Sequence, residues 1–182
     1  MKISEANIRL IMGNAKESRI KDFVSSFNTY AEMFGINTPL RAAHYIAQVA
    51  HETNELRWLE ELASGKDYDT GRKAQQLGNT PQADGDGQRF KGRGYLQLTG
   101  RVNYKAYASS KYCVGDLMSH PEWLAKQPGC QKSAMWFWQS RGLNELADLD
   151  KAEAITKRIN GGTKGLAQRL YYLRKAKGVF FI

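Results

Sequence analysis

Apolar residues between Lys16 and Phe34 fall at Ile20, Phe23, Val24, Phe27, Tyr30, Ala31 and Phe34. Spacings of three and four put them on one stripe of a helix. The tripeptide "GIN" interrupts the pattern. A second helix opens at "TPLRAAHYIAQVAHETNEL", with Thr38 as N-cap and Pro39 at the first helical position. Helical spacing returns over 104–112, 121–126, 131–140 and 151–159. "NGGTKG" then turns the chain into a last, basic helix over 166–177. The stretch 65–94 is rich in glycine and polar residues and has little periodicity. It predicts a long irregular loop, and ordered loops of that length usually carry function. There is no repeat, linker or low-complexity segment. The pattern predicts one mainly α domain over residues 1–182, with two lobes around a groove.

Composition adds one unusual feature. Of 182 residues, 42% are hydrophobic and 25% charged, ordinary values for a globular chain. The net charge of +9, with a pI near 9.6, is not ordinary. It predicts attraction to polyanions: nucleic acid, anionic lipid or an acidic cell wall. No apolar run approaches the ~20 residues that span a bilayer, so no stable membrane insertion is expected. The N-terminus lacks the apolar core and cleavage pattern of a signal peptide, which predicts a protein that stays in the cytoplasm where it is made. Two cysteines, Cys113 and Cys130, make neither a metal site nor a disulfide framework and are expected to be free thiols.

Several side chains could carry chemistry. Glycosidic bond cleavage commonly uses two carboxylates, one as acid and one as base. Glu52 shares a helical face with Tyr45, Val49 and Leu56, and a carboxyl among apolar groups holds its proton toward neutral pH. An ordinary surface glutamate at a helix end has the same spacing. For the second carboxylate, Glu55, Glu60 and Glu61 are all candidates. On one unbroken helix Glu61 would sit about 180° round from Glu52 and roughly 13 Å along the axis. A shared site therefore requires the helix to end or bend near Thr53–Asn54. His44 and His51 are seven residues apart without a third clear ligand, so no metal is expected. "GQRFKGRG" lacks the GxxxxGK[ST] pattern of a phosphate loop. Cations and aromatics alternate over 89–107, but no nucleic-acid-binding motif accompanies them, and no nucleic-acid partner is expected.

Four motifs, in order, decide between these readings: "AQVAHET", "KGRGYLQLTGRVNY", "SAMWFWQSRGLNELAD" and "AITKRINGGTKGLAQRL". Together, over about residues 40–177, they resemble the glycoside hydrolase family 19 catalytic domain, shared by plant-type chitinases and bacteriophage endolysins. The compact form is most similar to the phage lysozymes. The resemblance implies a lysozyme-like α-helical fold and no cofactor. It implies Glu52 as general acid, Glu61 as general base and Thr99 as the hydroxyl that helps hold the attacking water. It implies Gln97, Asn103, Asn160 and Arg169 as polar residues lining the sugar site, with the arginine near the acid. "KGRGYLQLTGRVNY" then reads as a wall for sugar. Two positions depart from the family pattern: Asn54 and Glu55 follow the His-Glu pair where small residues are usual, and Tyr95 stands where proline is common.

Charge separates the candidate substrates. Chitin is neutral, whereas peptidoglycan carries peptide carboxylates, which a charge of +9 attracts. The resulting expectation is a monomeric endolysin that inverts configuration at the β-1,4 bond between N-acetylmuramic acid and N-acetylglucosamine. It would wait in the host cytoplasm for a pore made by a second protein. A chitinase and a non-catalytic wall-binding protein are the alternatives.

Overall fold

A computed structural model describes residues 1–182. The chain forms two compact units, Met1–Arg57 with Phe137–Ile182, and Trp58–Trp136. No helix is long and apolar enough to cross a membrane.

The first unit holds α1 (Glu5–Ile11), α2 (Glu17–Tyr30), α3 (Pro39–Glu52), the end of α7 (Gly129–Ser140), α8 (Leu143–Asp148), α9 (Ala152–Asn160) and α10 (Leu166–Phe180). α3 starts as its sequence predicts, since the Thr38 hydroxyl accepts from Arg41 N and Pro39 occupies the first turn. Every residue from Ala42 to Ala50 is buried, polar His44 and Gln48 included. A helix covered on all sides is the centre of its unit, and α3 packs most extensively along α10. An aromatic series fills the core around it. Phe23, Phe27, Tyr45 and Trp138 follow one another at centroid distances of 5.9, 6.1 and 5.4 Å. The one polar atom of Trp138 is satisfied where Nε1 donates to Asn144 Oδ1 at 2.8 Å. The long apolar stripe from Lys16 is α2 followed by a 3-10 turn over Ala31–Phe34, ended by Gly35 at φ 70°. α1 and α8 are too short to show a period in the sequence.

The second unit contains α4 (Gly71–Leu77), α5 (Asp86–Arg89), α6 (Arg101–Ala108), the start of α7, and 3-10 turns over Lys66–Tyr68 and Pro121–Ala125. The expected irregular loop at 65–94 is thus partly helical. Its elements are so short that no periodicity accumulates. The segment is held by buried carboxylates: Asp69 accepts from Gly85 N and Gly87 N, and Asp86 from Thr80 N and Arg101 Nη1. Gly87 is required by close approach, because a Cβ there would lie 2.4 Å from Asp69 N and 2.5 Å from Gly65 O. Isolated antiparallel bridges join Glu60 to Arg93 and Arg93 to Leu98. The core of this unit is Phe90, Tyr95, Leu98, Tyr104, Tyr107, Leu124 and Met135.

Candidate active site

α3 ends at Glu52, with Thr53 as its C-cap. Three residues without glycine's freedom then follow in left-handed backbone, Asn54 at φ 48°, Glu55 at 57° and Leu56 at 64°. Asparagine tolerates this region; glutamate and leucine pay strain of order 1–3 kcal/mol each unless their surroundings fix them. They are fixed. Buried Thr53 donates its hydroxyl to Val49 O and accepts from Leu56 N, both at 2.7 Å. Glu55 N donates to Ala50 O, and Leu56 is fully buried. The Glu55 carboxylate accepts from Tyr172 Oη at 2.8 Å and Asn14 N at 2.5 Å. Glu55 is therefore an anchor of the turn. The required break after Thr53 is present, and Leu56 belongs to that turn instead of the α3 face.

The surroundings of Glu52 correct the expectation of an apolar environment. Tyr45 and Val49 are buried as predicted, but the carboxylate itself meets a cation: Arg169 Nη2 lies 2.5 Å from Oε1. Arg169 is 2% exposed, and its Nη1 donates to the buried Gln48 side chain. Gln48, one turn before Glu52 on α3, thus aims the guanidinium at the Glu52 carboxylate. Arg169 Nη2 and Tyr172 Oη, three residues apart on α10, hold Glu52 and Glu55, three apart in the chain. His51 is a neighbour of a different kind. Burial first, then the Arg169 charge, push its pKa down, so the ring is neutral and Nδ1–H donates to Gln168 Oε1 at 2.6 Å. Gly165 makes room for that ring: a Cβ there would lie 2.2 Å from His51 Cε1. His44 pairs with Asp150 at 2.7 Å, so both histidines have protein partners. Asn160 spends both ends of its amide on the turn that follows, donating to Lys164 O and accepting from Gly162 N.

In the second unit, Glu60 and Glu61 separate cleanly. Glu60 accepts from Lys91 Nζ and Arg93 Nη2, each at 3.1 Å. Glu61 has neutral donors instead, Tyr68 Oη to Oε1 at 2.7 Å and Gly92 N to Oε2 at 3.2 Å. Burial, and then the bond to Glu61, push the Tyr68 phenol up to about 12, so it remains a donor near neutral pH. The glycine of "KGRG" draws the predicted residues together. A Cβ on Gly92 would lie 2.8 Å from Gln97 Oε1, 3.1 Å from Thr99 Oγ1 and 3.3 Å from Glu61 Oε2. Three oxygens therefore converge beside a residue with no side chain. Gln97 is held at φ 50°, with Nε2 donating to Gly94 O. Thr99 Oγ1 donates to Gln97 O, and Asn103 Nδ2 donates to Thr99 O. Tyr68 and Gln48 had no signal in the sequence; each is identified only by the partner it touches.

Comparison with known proteins agrees with these motifs. No family model matches the chain. A Haemophilus influenzae protein described as glycosyl hydrolase family 19 domain-containing is 29% identical over 196 residues, which cover 93% of this chain and 92% of the relative. An Arabidopsis thaliana endochitinase is 32% identical over 142 residues, 77% of this chain but 46% of the relative. Among solved structures, chitinase C of Streptomyces griseus superposes with a TM-score of 0.76 at 18% identity, covering 98% of this chain and 92% of the other. A class IV family 19 chitinase from Zea mays gives 0.73 at 22%, covering 99% and 93%. The structural likenesses establish the fold, and the full-length sequence relative adds the family. The chain belongs to glycoside hydrolase family 19.

Proposed function

We propose that this glycoside hydrolase is a lytic enzyme of peptidoglycan, cutting the β-1,4 bond between N-acetylmuramic acid and N-acetylglucosamine with inversion. The observation that carries the mechanism is the convergence of Glu61 Oε2, Thr99 Oγ1 and Gln97 Oε1 beside Gly92. A water accepted there has a base and a hydroxyl to orient it, which is what a single displacement needs. Glu61 takes its proton as it attacks the anomeric carbon. Glu52 supplies the proton to the leaving oxygen. Oε1 of Glu52 accepts from Arg169, so Oε2 is the oxygen that carries the proton. In this reading Gln97 and Asn103 meet the sugar, Asn160 shapes the turn after α9, and buried Arg169 positions Glu52 instead of touching the glycan. Net charge supports the substrate, since a chain of +9 is drawn to a wall bearing carboxylates and gains little on a neutral polymer.

Chitin cleavage is the second reading, favoured by the endochitinase relatives. Mass spectrometry of fragments from purified peptidoglycan separates the two. Reducing-end muramic acid is expected. Intact peptidoglycan together with rapid cleavage of chitin oligomers would transfer the assignment to chitinase. NMR of the fresh product tests inversion: the α-anomer should appear first, and an initial β-anomer removes the base role of Glu61.

A further inference from the structure

The Trp58–Trp136 unit has a cavity that none of the residues assigned above lines. Its volume is about 290 Å³, at the lower end for ligand pockets and sized for a short substituent. It lies between the end of α6, the segment before the Pro121–Ala125 turn, and the start of α7. Buried Tyr107 and Leu124 form its floor, and Trp123, 38% exposed, stands at its edge. The rest of the lining is mostly apolar, with Gln127 and Tyr112 adding polar groups, and Lys126 and Lys132 are its charged side chains. An apolar hollow edged by cations selects a ligand with small apolar groups and negative charge. Its position adds a second argument. Tyr107 lies four residues after Asn103 on α6, one helical turn along the same face, about 6 Å further on. Asn103 is the residue that donates to Thr99 O at the glycan-binding motif.

We propose that this cavity binds the acidic peptide that substitutes a peptidoglycan strand, its alanyl methyl against Tyr107 and Leu124 and its carboxylates at Lys126 and Lys132. The proposal rests on the wall-substrate reading above and deepens it. Chitin has no such substituent, so the cavity would distinguish two polymers that share a β-1,4 backbone.

The cavity contains its own reporter. Cys113 lines it and is partly exposed, whereas Cys130 is fully buried. Burial pushes the Cys113 thiol up, so its alkylation by iodoacetamide is followed in alkaline buffer. A synthetic alanyl-glutamyl-diaminopimelyl tripeptide should slow that reaction by about tenfold at saturation, and chitotetraose should leave it unchanged. Lys126→Glu/Lys132→Glu should abolish the protection, and the milder Lys126→Gln/Lys132→Gln should weaken it. Absence of protection by the tripeptide, or protection that survives both double substitutions, overturns the proposal. A second readout keeps it distinct from the reading beneath it. Wild-type enzyme should cut intact strands faster than strands stripped of peptide by an amidase, and the charge-reversed variant should cut both at the stripped-strand rate. Protection of Cys113 in a protein that cuts neither strand would overturn the muramidase reading and uphold the peptide site.

Discussion

Glu60 and Glu61 are identical side chains one position apart, and their partners give them different work. Glu60 is bridged by Lys91 and Arg93 and holds the 60–93 bridge together. Glu61 receives only neutral donors and faces Thr99 and Gln97 across Gly92. Glu61→Gln should therefore cut kcat by about 10²–10⁴-fold, the range for a general acid or base, whereas Glu60→Gln should lower the melting temperature and leave kcat within a few-fold. A dead but fully stable Glu60→Gln protein would exchange the two roles. Tyr68→Phe removes one of the two donors that orient Glu61, so kcat should fall while KM stays. Gly92→Ala is the sharpest of these tests. Gly92 is not in left-handed backbone, and the atoms a Cβ would meet are ends of side chains. The fold should accept the methyl with little change in Tm. Activity should nonetheless drop by about 10²-fold, because the methyl occupies the space where the water would be oriented. Full activity in Gly92→Ala would show that no reacting group uses that space.

The end of α3 is where several side chains act as one element. Two residues of α10 grip two carboxylates, Arg169 on Glu52 and Tyr172 on Glu55, and the left-handed run at 54–56 lies between the grips. Tyr172→Phe leaves buried Glu55 Oε1 without its donor and should destabilise the protein by about 1–3 kcal/mol, read from denaturant midpoints. An unchanged midpoint would mean that the turn holds itself. Much of this element was legible in the sequence. Thr38 and Pro39 announced the start of α3, and a stop near Thr53–Asn54 was permitted by the sequence and required only if Glu52 and Glu61 share a site. Of the grip, the motif resemblance placed Arg169 near Glu52, but no periodicity encodes pairings across 117 positions, and Tyr172 on Glu55 gave no signal. For the same reason Glu52 was expected among apolar groups: its own helix supplies Tyr45 and Val49, and the cation comes from elsewhere. The short helices of 65–94 escaped notice because four to seven residues cannot display a period of 3.6. Glycine motifs fared better, since Gly92 and Gly165 mark close approaches that larger residues would block.

At the scale of the whole molecule, 27 cations face 18 acids, and many of the acids are already spent in local pairs such as Arg9–Glu17 and Arg41–Asp148. What remains is a positive field extending into solvent, and its reach is set by salt: about 10 Å at 0.1 M ionic strength and about 3 Å at 1 M. The proposed catalytic groups respond to salt differently. Arg169 is 2% exposed and touches Glu52 directly, so screening between them is weak. Salt should therefore act on capture and not on chemistry. With permeabilised Gram-negative cells or purified wall as substrate, raising salt should increase KM several-fold with kcat nearly constant. With soluble chitin oligomers, which are uncharged, any KM should be almost independent of salt. Equal salt dependence on the two substrates would mean that the excess charge serves something other than the wall. A fall in kcat with unchanged KM would mean that the Arg169–Glu52 contact opens to solvent during turnover.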